Sequence, residues 1–303
     1  MSEHRPEGAT AGAQDRYVRH RPLLSDDAWE HLTNTRVILA GVGGLGSNVA
    51  QIVARLAPVT LELWDPGILD EPDLNRQILY RPEHLGTAKV EVAARELQAI
   101  NPEIRVEANQ ERITAETFAR AHGGPAYGSP AHGGPARGDD PARGASSAAH
   151  VQDRVIMDCL DSFEARAGLE DIRRGHGIPV VHGGIEGWYG QVVLFPGRGP
   201  GYEAVYGPDF RSMPPAGKPM MPQVVTSIAS MEVGLLIDWF ERGTEITVPE
   251  ALYVYDGKAL TLNRIDLNVG DLDAGGTHAG DAQGTDARAD ATDNADGSGG
   301  AHG

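Results

Sequence analysis

The chain has 303 residues and a single cysteine, Cys159. One thiol excludes an internal disulfide framework and a structural zinc site built from cysteines. Lysine is nearly as scarce: Lys89, Lys218 and Lys258 are the three in the chain. Acidic residues outnumber basic ones, 43 to 26, for a net charge of −17. That balance argues against a general nucleic-acid binder, which would carry basic patches. No run of about 20 apolar residues occurs, so no membrane span is predicted. The N-terminus is polar and lacks the apolar core of a secretory signal. From these absences we expect a cytoplasmic protein with neither nucleic acid nor membrane as a partner. The 40% hydrophobic content is enough for an ordinary core.

Charge and complexity divide the chain. Residues 271–303 hold seven aspartates against one arginine, and 268–303 is expected to be a disordered acidic tail. Residues 1–14 are expected to be a disordered N-terminal tail. Residues 121–150 read as a low-complexity insert of Gly, Ala, Pro and His, in which His-Gly-Gly-Pro-Ala occurs twice. Its histidines are expected to belong to a floppy surface loop. The remainder, 15–267, forms one domain.

One stretch organises that domain. Arg36-Val37-Ile38-Leu39-Ala40 is mostly apolar and predicts a buried strand. Gly41-x-Gly43-x-x-Gly46 follows, then a helical run over 48–56. Glycines let a backbone approach a ligand closely, and a helix N-terminus offers unpaired N–H groups to a phosphate. A second strand over 60–64 ends in Asp65, about 20 residues on, where an acidic ribose-binding residue is expected. Strand, glycine turn, helix, strand and acid together point to nucleotide binding.

Before this stretch lies Arg16-Tyr17-Val18-Arg19, densely basic, and Ser25 as a candidate cap for a helix over 26–31. After it come Asp73-Leu74-Asn75-Arg76-Gln77 and Gly86-Thr87-Ala88-Lys89, then a helix over 89–100 stopped by Asn101-Pro102. A lysine at a helix start opposes the dipole unless an anion is present, so Lys89 is either an exposed lysine or part of a phosphate site. A short strand is expected near 104–107 and another over 155–157, which ends in Asp158-Cys159-Leu160-Asp161-Ser162. Acidic residues at the C-terminal end of a strand sit where open α/β sheets bind ligands. Ser162 or Asp161 would cap a helix over 163–174. A strand over 177–182 follows, with His182 read as a satisfied, partly buried residue. Residues 190–195 begin an antiparallel region, since no helix separates them from their predecessor. Residues 197–219 read as a long loop, 222–242 as an apolar helix, and 252–267 as a hairpin.

In this order and spacing, the motifs resemble the ThiF/MoeB/HesA group, relatives of the ubiquitin-activating enzymes. The similarity rests on Arg16-Tyr17-Val18-Arg19, the glycine turn, Asp65, Leu74-Asn75-Arg76-Gln77, Gly86-x-x-Lys89, Asn101-Pro102, Asp158-Cys159-Leu160-Asp161-Ser162 with Arg166, and Gly183-Gly184-x-x-Gly187 with Gly190-Gln191-Val192. It covers about residues 15–267 apart from the insert. The resemblance implies a Rossmann-like, doubly wound α/β fold, mostly parallel, continued by antiparallel strands, with helices on both faces. It implies ATP and Mg²⁺ as cofactors and adenylation of the C-terminal glycine of a ubiquitin-like sulfur-carrier protein, with release of pyrophosphate. By position, Gly41, Gly43 and Gly44 would line the nucleotide, and Asp65 would hold the ribose. Asn75, Arg76 and Lys89 would contact phosphates, with Gln77 and Leu160 also at the nucleotide and Asp161 holding Mg²⁺. Arg19 is similar to an arginine that family homodimers supply to the neighbouring subunit's ATP.

The residue types suit that chemistry. A carboxylate attacking an α-phosphorus meets like charge, which cations and Mg²⁺ offset. No general base is required, because the nucleophile is already ionised near neutral pH. Two departures stand out. Relatives commonly carry cysteine pairs for zinc, the first in a Pro-Cys-Tyr-x-Cys segment; here Pro200-Gly201-Tyr202-Glu203-Ala204 has none, so no zinc is expected. Many relatives also carry a nucleophilic cysteine before the last long helix, where this chain reads Ala216-Gly217-Lys218-Pro219-Met220-Met221. Sulfur would then come from a separate donor. Two alternatives stay open: ATP-dependent activation of another substrate, such as a modified tRNA base or a peptide C-terminus, and a non-catalytic nucleotide-binding module.

Overall fold

A computed structural model describes residues 15–123, 154–214, 219–243 and 246–267. The expectations for residues 1–14, for 124–150 and for 268–303 lie outside the described residues.

Among the described residues, eight strands form one sheet in the order β3-β2-β1-β4-β5-β6-β7-β8. They are β1 (Arg36–Ala40), β2 (Thr60–Trp64), β3 (Arg105–Asn109), β4 (Arg154–Asp158), β5 (Val180–Glu186), β6 (Tyr189–Phe195), β7 (Ala251–Asp256) and β8 (Thr261–Asp266). The first five run parallel and the last three antiparallel. β1 is the middle one of the five parallel strands, with Val37 opposite Leu61 on one side and Val155 on the other. An unbroken apolar strand such as Val37-Ile38-Leu39-Ala40 needs cover on both faces, and helices supply it. Val37, Leu39, Leu61, Leu63, Val155 and Met157 point to one face. There they meet α1 (Asp26–Asn34), α2 (Gly44–Leu56), α3 (Lys89–Ile100) and α7 (Pro222–Arg242). Ile38, Ala40, Trp64, Ile156 and Val180 point to the other. That face is covered by α4 (Ala115–His122), α5 (Phe163–His176) and the single-turn α6 (Glu203–Tyr206). The expected fold class, Rossmann-like with parallel strands continued by antiparallel ones, is what the chain adopts.

The end signals work by capping. Ser25 Oγ accepts from the Ala28 N–H and starts α1; Ser162 Oγ accepts from the Ala165 N–H and starts α5. Gly177 closes α5 in the left-handed region at φ 66°. The structure differs from the expectations in four places. α2 starts at Gly44, four residues before the apolar periodicity is visible. α4 and α6 fall in segments read as loop or passed over. His122, read as part of the floppy insert, closes α4, and its Nε2 lies 2.8 Å from Glu62 Oε1. α7 is long and apolar enough by length and composition to cross a bilayer. Here Val224, Ile228, Val233, Leu236 and Phe240 bury it in the core against α2, β5 and β6.

Candidate functional site

A doubly wound sheet has a crevice where its strand order reverses, at the C-terminal ends of β1 and β4. A cavity of about 550 Å³ opens there. The turns after β1 and β4 form its floor, and the segments after β2 and β3 its sides.

The glycine turn is built to zero clearance. Gly41 has φ 91°, and a Cβ on it would lie 3.0 Å from Cys159 O. A Cβ on Gly46 would lie 2.0 Å from Gly41 O, so α2 approaches the turn only because that side chain is absent. Gly43 and Gly44 line the cavity at the α2 N-terminus, where helix N–H groups lack intrahelical partners. Asp65 also lines it. Its Oδ2 accepts from the Val42 N–H at 2.9 Å and its Oδ1 from the Gly67 N–H at 2.7 Å, so both strand-end turns are tied to one carboxylate. Tyr80 supports the same turn through a 2.7 Å bond to Val42 O. Burial, then the Asp65 and Asp73 charges, push its hydroxyl above the usual tyrosine range.

Arg76, Gln77 and Lys89 line one wall together with Asp73. Lys89 Nζ sits 3.0 Å from Asp73 Oδ2, and Arg76 Nη2 sits 3.7 Å from Asp73 Oδ1. Gln77 Nε2 donates to Asp73 Oδ1 at 2.6 Å. Arg76 Nη1 donates to Pro72 O and to Asn75 Oδ1, each at 2.9 Å. Arg76 Nε and Gln77 Oε1 are buried and have no partner among the described residues. Arg76 packs on the α2 N-terminus, where a Cβ on Gly44 would lie 3.3 Å from that Nε. Leu160 and Asp161 line the wall after β4.

Two residues fall elsewhere. Asn75 is exposed, outside the cavity wall, and touches the site through Arg76. Arg19 is exposed and does not line the cavity of its own chain. The wall residues to which the sequence reading gave no role include Asp73, Arg112, Thr114 and Glu164. Asp73 stands three residues before Arg76 at one-turn spacing, a signal that was available. Arg112 and Thr114 follow β3, and nothing local marks them.

Asp158 is not a ligand-facing acid, although it ends a strand. It is fully buried, and its Oδ2 lies 2.6 Å from His182 Nδ1, 2.6 Å from the Tyr202 hydroxyl and 3.3 Å from Arg166 Nε. Burial opposes its charge, but Arg166, His182 and Tyr202 outweigh burial and hold its carboxyl below the usual range. His182 is fully buried, not partly. Burial lowers its affinity for a proton, so the neutral ring donates Nδ1–H to Asp158 and accepts at Nε2 from Tyr206, 2.6 Å away. Arg166 Nη2 donates onward to Leu160 O at 2.7 Å and Gly183 O at 3.1 Å. This network fixes the turn that presents Asp161. Cys159 is buried; burial, then the Glu232 and Asp158 charges, push its thiol well above the usual range.

A nucleotide suits this donor set. Glycines approach closely, a helix N-terminus and the cations Arg76 and Lys89 face the cavity, and a buried guanidinium nitrogen lacks a partner among the described residues. Fold and crevice together define a nucleotide-binding α/β protein. The ThiF family model matches residues 17–271, and the chain belongs to that family. It is 30% identical over 221 residues to the sulfur carrier protein adenylyltransferase of Thermus thermophilus, covering 72% of this chain and 70% of that protein. It is 27% identical over 194 residues to the SAMP-activating enzyme E1 of Haloferax volcanii, covering 63% of this chain and 62% of that protein. Among solved structures, Escherichia coli MccB with ATP shares the fold at TM-score 0.59 and 18% identity, covering 85% of this chain and 72% of MccB.

Proposed function

We propose that this protein adenylates the C-terminal glycine carboxylate of a ubiquitin-like sulfur carrier of the kind used in thiamine or molybdopterin synthesis, consuming ATP with Mg²⁺ and releasing pyrophosphate. The observation that carries the reading is the pairing of Arg76 and Lys89 on one wall with Asp161 across the same crevice. The relatives' names, which speak of sulfur-carrier adenylation and of an activating enzyme, support the same class of reaction.

Gly41, Gly43 and Gly44 give the nucleotide backbone contact, Asp65 accepts from the ribose, and Arg76, Gln77 and Lys89 hold phosphate oxygens. Asn75 acts through Arg76, whose guanidinium it orients. Asp161 would supply a carboxylate oxygen to Mg²⁺, and the ion would neutralise charge on the phosphates. Stabilising negative charge as it builds on the α-phosphorus is the main catalytic task, and the cations are in place before substrate arrives. Arg19 would reach the site of a second copy in a homodimer. The reaction stops at the acyl-adenylate, because the chain's one thiol is buried and held protonated. Sulfur transfer belongs to another protein in the cytoplasm.

The test is intact-mass analysis of candidate carriers ending in Gly-Gly, incubated with the protein, ATP and Mg²⁺. An adenylate adduct on the intact carrier, absent from one lacking its last glycine, supports the reading. Adducts on neither, alongside measurable ATP binding, refute carrier adenylation.

A further inference from the structure

The phosphate wall already holds an anion. Asp73 lies inside the cavity with its side chain 14% exposed, and every contact on its carboxylate comes from a group that would face a phosphate or from its own loop. Lys89 Nζ is 3.0 Å from Oδ2, Arg76 Nη2 is 3.7 Å from Oδ1, and Gln77 Nε2 donates to Oδ1 at 2.6 Å. The Asp70 N–H donates to Oδ2 at 3.2 Å. Meanwhile Arg76 Nε, on one of those side chains, is buried without a partner among the described residues. So the Arg76 guanidinium is partly engaged and partly unsatisfied, while Lys89 is held by Asp73.

Resting on the nucleotide reading above, we propose that Asp73 is a built-in competitor for the triphosphate. Its carboxylate occupies the anion subsite of the empty protein and must give up Lys89 and Arg76 before phosphate oxygens take them. A carboxylate that stays beside a polyphosphate repels it, and one that leaves costs its own ion pairs. Either way Asp73 weakens nucleotide binding and sets a threshold of nucleotide concentration for the site. A residue that merely positioned Lys89 and Arg76 would have the opposite sign, since its removal would loosen binding.

The experiment is calorimetric titration of the full chain with ATP, with and without Mg²⁺. The variants are Asp73→Asn, Asp73→Ser and Asp70→Asn, each checked for folding by thermal melting. Asn keeps the size of the side chain, and Ser keeps an oxygen for the Gln77 amide. Asp70 is an exposed neighbour, so Asp70→Asn makes the same change in net charge without freeing the cations. The expected result is three- to tenfold tighter ATP binding for both Asp73 variants and a change under twofold for Asp70→Asn, by the strength of partly exposed ion pairs. Equal or weaker binding by the Asp73 variants, with wild type binding normally, overturns the competitor and leaves the nucleotide site standing. No binding by any of the proteins overturns both.

Discussion

Glu232 gives a stability prediction with a definite sign. It sits on α7 with no exposure, and both carboxylate oxygens lack partners among the described residues. The α7 backbone brings it so close to β5 that a Cβ on Gly183 would lie 2.6 Å from its Cδ. Burial, then the Asp158 charge, raise its affinity for a proton well above the usual glutamate range, and Arg166 offsets this only in part. The folded chain therefore keeps a proton that the unfolded chain releases above about pH 4.5. A state that binds more protons loses stability as pH rises, so Glu232 costs stability at neutral pH. Glu232→Gln keeps the shape and removes the titration. Each pH unit through which only the folded carboxyl holds its proton is worth about 1.4 kcal/mol. Urea unfolding of both proteins from about pH 5 to about pH 8 should show the variant's advantage growing by up to about 1.4 kcal/mol per unit, then levelling off once the folded carboxyl ionises. Parallel stability curves would show that Glu232 titrates normally and refute the reasoning.

Three further outcomes follow from named contacts. Arg76→Ala should lower carrier adenylation about 100-fold, the scale for losing one transition-state donor, while thermal melting moves by about 3 °C or less. Arg173 and Glu170 are buried together at 2.6 Å, and Arg173 Nη2 donates to Gly199 O at 2.9 Å. Arg173→Ala leaves the buried Glu170 to the half-exposed Arg174, whose Nε lies 2.5 Å from Oε1, and takes the donor from Gly199 O, so it should cost about 3 kcal/mol in urea unfolding, the low end for breaking a buried pair. That pair ties α5 to the 196–201 loop, where a Cβ on Gly201 would lie 2.5 Å from both partners. Elemental analysis of purified protein should accordingly find no stoichiometric zinc; one zinc per chain would mean that an unforeseen ligand set exists.

Much of the fold was legible because its signals are local. Ser25, Ser162 and the Asn101-Pro102 stop mark helix ends by capping and chain geometry, and unbroken apolar runs mark strands covered on both faces. The start of α2 was not legible, because glycine carries no helical periodicity and its placement depends on contact with the β1 turn. The role of Asp158 was hidden for a related reason. Whether a strand-end acid faces a ligand or the core depends on which face its strand presents there, and His182, Tyr202 and Arg166 reach it from distant sequence. Asn75 and Asp73 illustrate the limit of reading by position: both flank Leu74, but the turn sends Asp73 into the cavity and Asn75 to solvent.

The central claim is that this crevice activates a carboxylate with ATP. Exchange of labelled pyrophosphate into ATP tests it most directly, because exchange requires reversible formation of an acyl-adenylate. The account predicts exchange that depends on Mg²⁺ and on a carrier with an intact Gly-Gly end, and that is lost in Arg76→Ala. Exchange that survives Arg76→Ala at the wild-type rate, or ATP binding without exchange for any carrier, would contradict it.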